Sequence, residues 1–173
     1  MDNAELSHEL HKLALDETGF WGREGAGCVF LSVKTKRFLL PLRSEEVLNP
    51  NCWGNWGGAV DIGETPIDAI KREVYEEAGY QNHYELIPVY QFNAPGFIYH
   101  NYVALVEDEF IPVLNDETTT YGWFHLHELP QPLHFGWDHM LADEVCIQKL
   151  TQLIKQLFKV TNGCCFIHWC LIE

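Results

Sequence analysis

Glu73, Glu76 and Glu77 crowd into the stretch Arg72-Glu73-Val74-Tyr75-Glu76-Glu77-Ala78-Gly79-Tyr80. On a helix they share one patch, because positions three and four apart are neighbours. Like charges at that spacing repel, and Glu76 and Glu77 sit near the negative end of the helix dipole. A divalent cation held between the carboxylates offsets that repulsion, since hard cations take oxygen ligands. A solvated acidic helix face is the competing reading. What separates the two lies upstream, in Gly58, Glu64 and Arg72.

The helix that must present these groups has clear limits. Thr65 is a good N-cap, Pro66 suits the first helical position, and Gly79 ends the helix. Ile67, Ile70, Val74 and Ala78 form an apolar stripe that docks it. A short strand, Ala59 to Ile62, leads into it. Before that, Ala4 to Leu15 carries Leu6, Leu10, Leu13 and Leu15 at helical spacing. Gly25 to Val33 alternates as a strand and pairs with Arg37 to Leu42 through a turn at Lys34-Thr35-Lys36. Ser44 to Asn55, with Asn-Pro-Asn and Trp-Gly-Asn, is a loop. Tyr84 to Phe92 and Phe97 to Val106 are strands around Asn93-Ala94-Pro95-Gly96. Asn115 to Thr120 is a polar loop before a strand at Tyr121 to Phe124. The spacing predicts one long helix from Trp137 to Phe158.

Composition narrows the class. At 173 residues and 47% hydrophobic, the chain suits one folded domain, here placed at 1–160, with no linker or repeat to divide it. The formal charge of -14 disfavours a nucleic-acid polymer as partner, and also repels substrate phosphates unless metal ions or arginines neutralise the site. No apolar run is long enough for a membrane span and no secretory leader is evident, so cytoplasmic residence is expected. The six cysteines then read as free thiols. Residues 161–173 form an apolar, sulfur-rich tail. There Cys164, Cys165, Cys170 and His168 raise zinc binding, and Cys170-Leu-Ile-Glu has the outline of a prenylation box with a poor last residue. A packed terminal segment is the plainer reading.

Gly58, five residues, Glu64, seven residues, Arg72-Glu73, two residues, Glu76-Glu77, one residue, Gly79 is a register that resembles the Nudix box. Tyr80 stands where an aliphatic residue is commoner. The approach from Trp53 to Gly63 also looks like that of many members. The resemblance implies an α/β/α sandwich, a mixed sheet between helices. It implies an enzyme that uses water and Mg²⁺ or Mn²⁺ to cut a phosphoanhydride in a nucleoside diphosphate linked to another moiety. Carried over by position, Glu73, Glu76 and Glu77 are the metal ligands, joined by the Gly57 carbonyl. Arg72 and Glu64 support the loop and orient Glu73. The general base is a box glutamate or a later acid, for which Glu117 is the candidate.

The expected partner is a small nucleotide, either a nucleotide sugar such as ADP-ribose or a nucleoside triphosphate. Pro95 falls where ADP-ribose-type members tend to carry proline, although Pro-Gly between strands is also an ordinary turn. Trp53, Trp56, Phe92, Phe97 and Tyr99 offer rings to stack a base or fill the core. Arg43 and Arg23 are candidates for phosphate. The nine histidines show no metal pattern and read as surface or loop residues near the pocket mouth. A nucleotide-sensing module without turnover and an RNA-cap hydrolase are the alternatives. Intact glutamates argue against the first and the net charge against the second. A homodimer is compatible with the family, but no interface is legible.

Overall fold

The computed structural model describes residues 2–161. Its centre is β1 (Glu24–Ser32), buried along almost its whole length because both of its faces are covered. Val29 and Leu31 face one apolar cluster, and Ala26, Cys28 and Phe30 face the other. Such two-sided burial is what a central strand requires. Around it stand β2 (Phe38–Arg43), β3 (Trp56–Ala59), β4 (Glu85–Ala94), β5 (Phe97–Val106) and β6 (Thr118–Phe124). The order is β4-β5-β1-β2-β6, with β3 also on β1. The β1–β5 pair is parallel and the remaining pairs are antiparallel, so the sheet is mixed.

Helices cover both faces. α2 (Pro66–Ala78) lays Ala69, Ile70, Val74 and Ala78 on one cluster, with Phe30, Leu39 and Trp56 opposite. α3 (Phe135–Ala142) and α4 (Glu144–Thr161) close the other with Trp137, Met140, Leu150 and Leu153. The expected α/β/α sandwich is therefore the observed fold.

Several local expectations are corrected. The expected single helix from Trp137 to Phe158 is two, because Asp143 turns extended and its Oδ1 accepts the Cys146 N–H at 2.7 Å, so it acts as a second N-cap. The short strand is Trp56–Ala59, not Ala59–Ile62. It is held by pairing to Gly25–Cys28, while Asp61 to Glu64 forms a turn with Gly63 at φ 84°. Ile67, assigned to the apolar stripe, is 41% exposed. β6 begins at Thr118, so the polar loop is shorter than expected.

α1 (Asn3–Thr18) also turns the other way from its leucine pattern. Ser7, His11 and Ala14 are buried, whereas Leu6, Leu10 and Leu13 are exposed. Polar contacts decide this orientation. The Ser7 hydroxyl accepts the Ile62 N–H at 3.1 Å, and His11 bonds Asp61 at 2.8 Å. The free-thiol reading holds for Cys28, Cys52 and Cys146. The zinc and prenylation readings of the tail fall on residues outside those described.

Candidate active site

α2 packs beneath the Gly-Gly strand β3, and that contact builds the acidic site. The Gly57 N–H donates to Glu77 Oε2 at 2.8 Å. A Cβ on Gly58 would lie 2.3 Å from Glu73 Oε1, so only glycine leaves room for that carboxylate. A Cβ on Gly57, at φ 153°, would strike the Ala26 carbonyl oxygen at 2.3 Å. Glu77 is only 6% exposed, an unusual place for a carboxylate. Burial, with Glu73 nearby, pushes its carboxyl well above the ordinary range.

Glu73 is also mostly buried. Burial pushes its carboxyl up to about 7, although Arg72 Nη1 donates to it at 2.6 Å. Arg72 is the organiser. It donates through Nε and Nη2 to both oxygens of Glu64, at 2.9 and 3.0 Å, and through Nη2 to the Ala59 carbonyl at 2.9 Å. Glu64 in turn accepts the Asp61 N–H, so Arg72 fixes the whole turn before α2. Hydrogen bonding to Arg72 holds the Glu64 carboxyl below its usual value. Glu76 lies on the exposed flank, its side chain 53% accessible and 3.6 Å from Arg72.

Beside these carboxylates opens a cavity of about 570 Å³, bordered by Gly57, Gly58, Arg43 and Glu117. That size falls within the usual range of ligand pockets. Glu117 is exposed at the start of β6, and its charge acts on both Glu73 and Glu77. Arg43 Nε and Nη2 donate to loop carbonyls of Leu48 and Asn49, which leaves Nη1 without a protein partner. The guanidinium charge draws the Glu77 carboxyl downward, against burial. Phe97 and Tyr99 border the cavity too.

Other expected substrate residues lie elsewhere. Trp56 is fully buried and donates its indole N–H to the Leu39 carbonyl at 3.1 Å, so it is core and offers no stacking surface. Pro95 occupies the exposed turn between β4 and β5 and does not border the cavity. Arg23 pairs with Glu17 at the surface. Trp53 packs edge-on against Phe124 beside the core.

The cavity also draws in residues the sequence reading passed over: Phe20, Trp21, Asn55, Asn101, His134, Phe135 and Trp137. His134 caps α3, its Nδ1 accepting the Gly136 N–H, and burial lowers its pKa to about 4. A cap ahead of Phe-Gly was the signal available for it. Among the described residues, no three His, Cys, Asp or Glu side chains converge as a metal-ligating group. The donor set nevertheless suits a hard cation. Glu73 and Glu77 are neighbouring buried carboxylates with oxygen donors only, and glycine leaves space against them.

A mixed sheet between helices, with a carboxylate helix packed under a Gly-Gly strand, is the architecture of a Nudix-type pyrophosphohydrolase. The family model described as "NUDIX domain" matches residues 22–143, and the chain belongs to that family. A MutT Nudix hydrolase from Burkholderia pseudomallei is 32% identical, over 65% of this chain and 92% of that one, with a TM-score of 0.51. The Nudix hydrolase RenU from M. smegmatis is 22% identical, over 87% and 92% of the two chains, with a TM-score of 0.60. The dihydroneopterin triphosphate pyrophosphohydrolase of E. coli is 22% identical, over 59% and 80%, with a TM-score of 0.50. No curated protein sequence gives a significant match.

Proposed function

We propose that this pyrophosphohydrolase cleaves a phosphoanhydride bond in a small nucleotide, with Mg²⁺ or Mn²⁺ held by Glu73, Glu76 and Glu77 and by the Gly57 carbonyl. The observation that carries the proposal is the pair of buried carboxylates, Glu73 and Glu77, set against Gly57-Gly58 at the wall of the cavity. A bound divalent cation would polarise the phosphoryl group and lower the pKa of the attacking water.

The chain's own residues do the rest. Arg72 and Glu64 hold Glu73 and the turn before α2 in place. Arg43 faces the cavity with one guanidinium nitrogen unengaged, suited to a phosphate oxygen. Glu117, exposed at the cavity wall and electrostatically within reach of both buried glutamates, is the proposed general base. The same reading takes 1–160 as the catalytic unit and the cytoplasm as its compartment. No helix among the described residues is long and apolar enough to cross a membrane.

The test is phosphate release over a panel of nucleotide sugars, nucleoside triphosphates and dinucleoside polyphosphates, with Mg²⁺, with Mn²⁺ and with EDTA. Turnover of at least one compound should vanish in EDTA and fall by about 10²-fold or more in Glu76→Gln. Binding of a nucleotide with no turnover of any compound would identify a sensor instead.

A further inference from the structure

Two buried side-chain polar atoms among the described residues have no hydrogen-bond partner: Asn55 Oδ1 and Trp137 Nε1. Both residues border the same cavity. One atom is an acceptor and the other a donor. Buried polar groups are normally paired, so two orphans at one cavity point to a ligand that supplies the missing partners. The Asn55 side chain is already held from its other end, where Nδ2 donates to Asn101 Oδ1 at 3.2 Å.

The rest of that end is aromatic. Phe20 stacks flat on Phe97, centroids 4.3 Å apart and planes 2° from parallel. Phe92 and Phe135 complete the group, 6.0 and 6.2 Å from Phe20 and 5.8 Å from each other. A cage of rings with one acceptor and one donor suits a flat heterocycle that carries both an N–H and a ring or carbonyl acceptor. An aliphatic chain would leave both orphans unpaired, and a polyol would waste the rings.

Phe20 has a particular origin. It lies before residue 22, where the family match begins, on the segment leaving α1. That segment is fixed in place by the Ser7–Ile62 and His11–Asp61 contacts and by the Gly22 N–H donated to the His11 carbonyl. We propose that this end of the cavity is a nucleobase subsite, closed by Phe20 from the chain's N-terminal addition and read at its edge by Asn55 and Trp137. The inference rests on the nucleotide reading above and deepens it.

The test is calorimetric titration in EDTA, where binding is observed without turnover, using AMP, GMP, CMP, UMP and ribose 5-phosphate. At least one nucleotide should bind about tenfold or more tightly than ribose 5-phosphate. Phe20→Ala and Asn55→Leu should each reduce that preference by about tenfold, and Phe20→Tyr should keep it. Thermal melts establish that each variant is folded. Should Phe20→Ala fail to fold, Phe20→Leu against Phe20→Tyr makes the same comparison of ring with no ring. Nucleotides binding no more tightly than ribose 5-phosphate would overturn the subsite, as would folded variants with an unchanged preference. The two readings fail separately. Base-selective binding with no hydrolysis in Mg²⁺ would sink the hydrolase proposal alone, and metal-dependent hydrolysis with no base preference would sink the subsite alone.

Discussion

At Glu73, ion pairing and desolvation act in opposite directions, and burial prevails: the carboxyl rises to about 7 although Arg72 donates to it at 2.6 Å. The unfolded chain should release that proton near the ordinary value of 4.5. Between those values the native state binds more protons than the unfolded state, so stability falls as pH rises. The cost is absent below 4.5 and fully developed above 7, at about 3 kcal/mol for Glu73, with Glu77 acting in the same direction. Calorimetric melts in EDTA should therefore show Tm decreasing from pH 5 to pH 8, and Glu73→Gln should flatten the decrease. A level profile for the parent protein in EDTA would contradict this account. Arg72 gives a second prediction. Its fork engages Glu64, Glu73 and the Ala59 carbonyl together, a geometry that lysine cannot reproduce. Arg72→Lys should lower kcat by about 10–100-fold, as loss of a supporting shell does, and steady-state kinetics would measure it.

α2 has to hold an acidic face against a sheet, and two features make that possible. At its start the Thr65 side chain accepts the Asp68 N–H, while Asp68 accepts the Thr65 N–H. Thr65→Ala should cost about 1 kcal/mol in urea unfolding, the usual value of such a cap. Along its inner face Ile70 is fully buried, and Ile70→Ala should cost about 2–5 kcal/mol in the same assay. Gly58 belongs to the partner element β3 and has a different signature. Its added methyl would meet the Glu73 carboxylate rather than core packing. Gly58→Ala should lose activity out of proportion to any fall in Tm, which paired kinetic and melting measurements would reveal.

Across the whole molecule, a formal charge of -14 surrounds a site meant for an anionic substrate. The Debye length shortens from about 30 Å at 0.01 M salt to about 8 Å at 0.15 M, so repulsion from distant surface charges is screened over that range. At fixed saturating Mg²⁺, KM for a nucleotide should fall as monovalent salt is raised between those limits. A KM that rises instead would mean that local attraction, from Arg43 and the bound cation, outweighs the field of the whole surface.

The acidic helix was legible in the sequence because everything that defines it is local. Caps at Thr65 and Gly79, the stripe of Ile70, Val74 and Ala78, and the spacing of Gly58, Glu64, Arg72 and the three glutamates all lie within one short segment. The break at Asp143 was local too, but a helical apolar pattern running through it masked the cap. Burial was another matter. Spacing placed the three glutamates together, yet only the sheet beneath α2 decided that Glu73 and Glu77 go inside and Glu76 stays at the flank. The same cause sent Trp56 into the core and turned the leucines of α1 outward, since polar anchors at Ser7 and His11 outweighed the apolar pattern. The cavity gathers Phe20, Asn55, Phe97 and Phe135 from four distant segments, and no periodicity along one strand or helix records such a meeting. The sequence thus determined the family and its acidic motif through short-range spacing. The tertiary structure alone decided which carboxylates lose water and which rings line the space in front of them, because both follow from what the fold packs opposite.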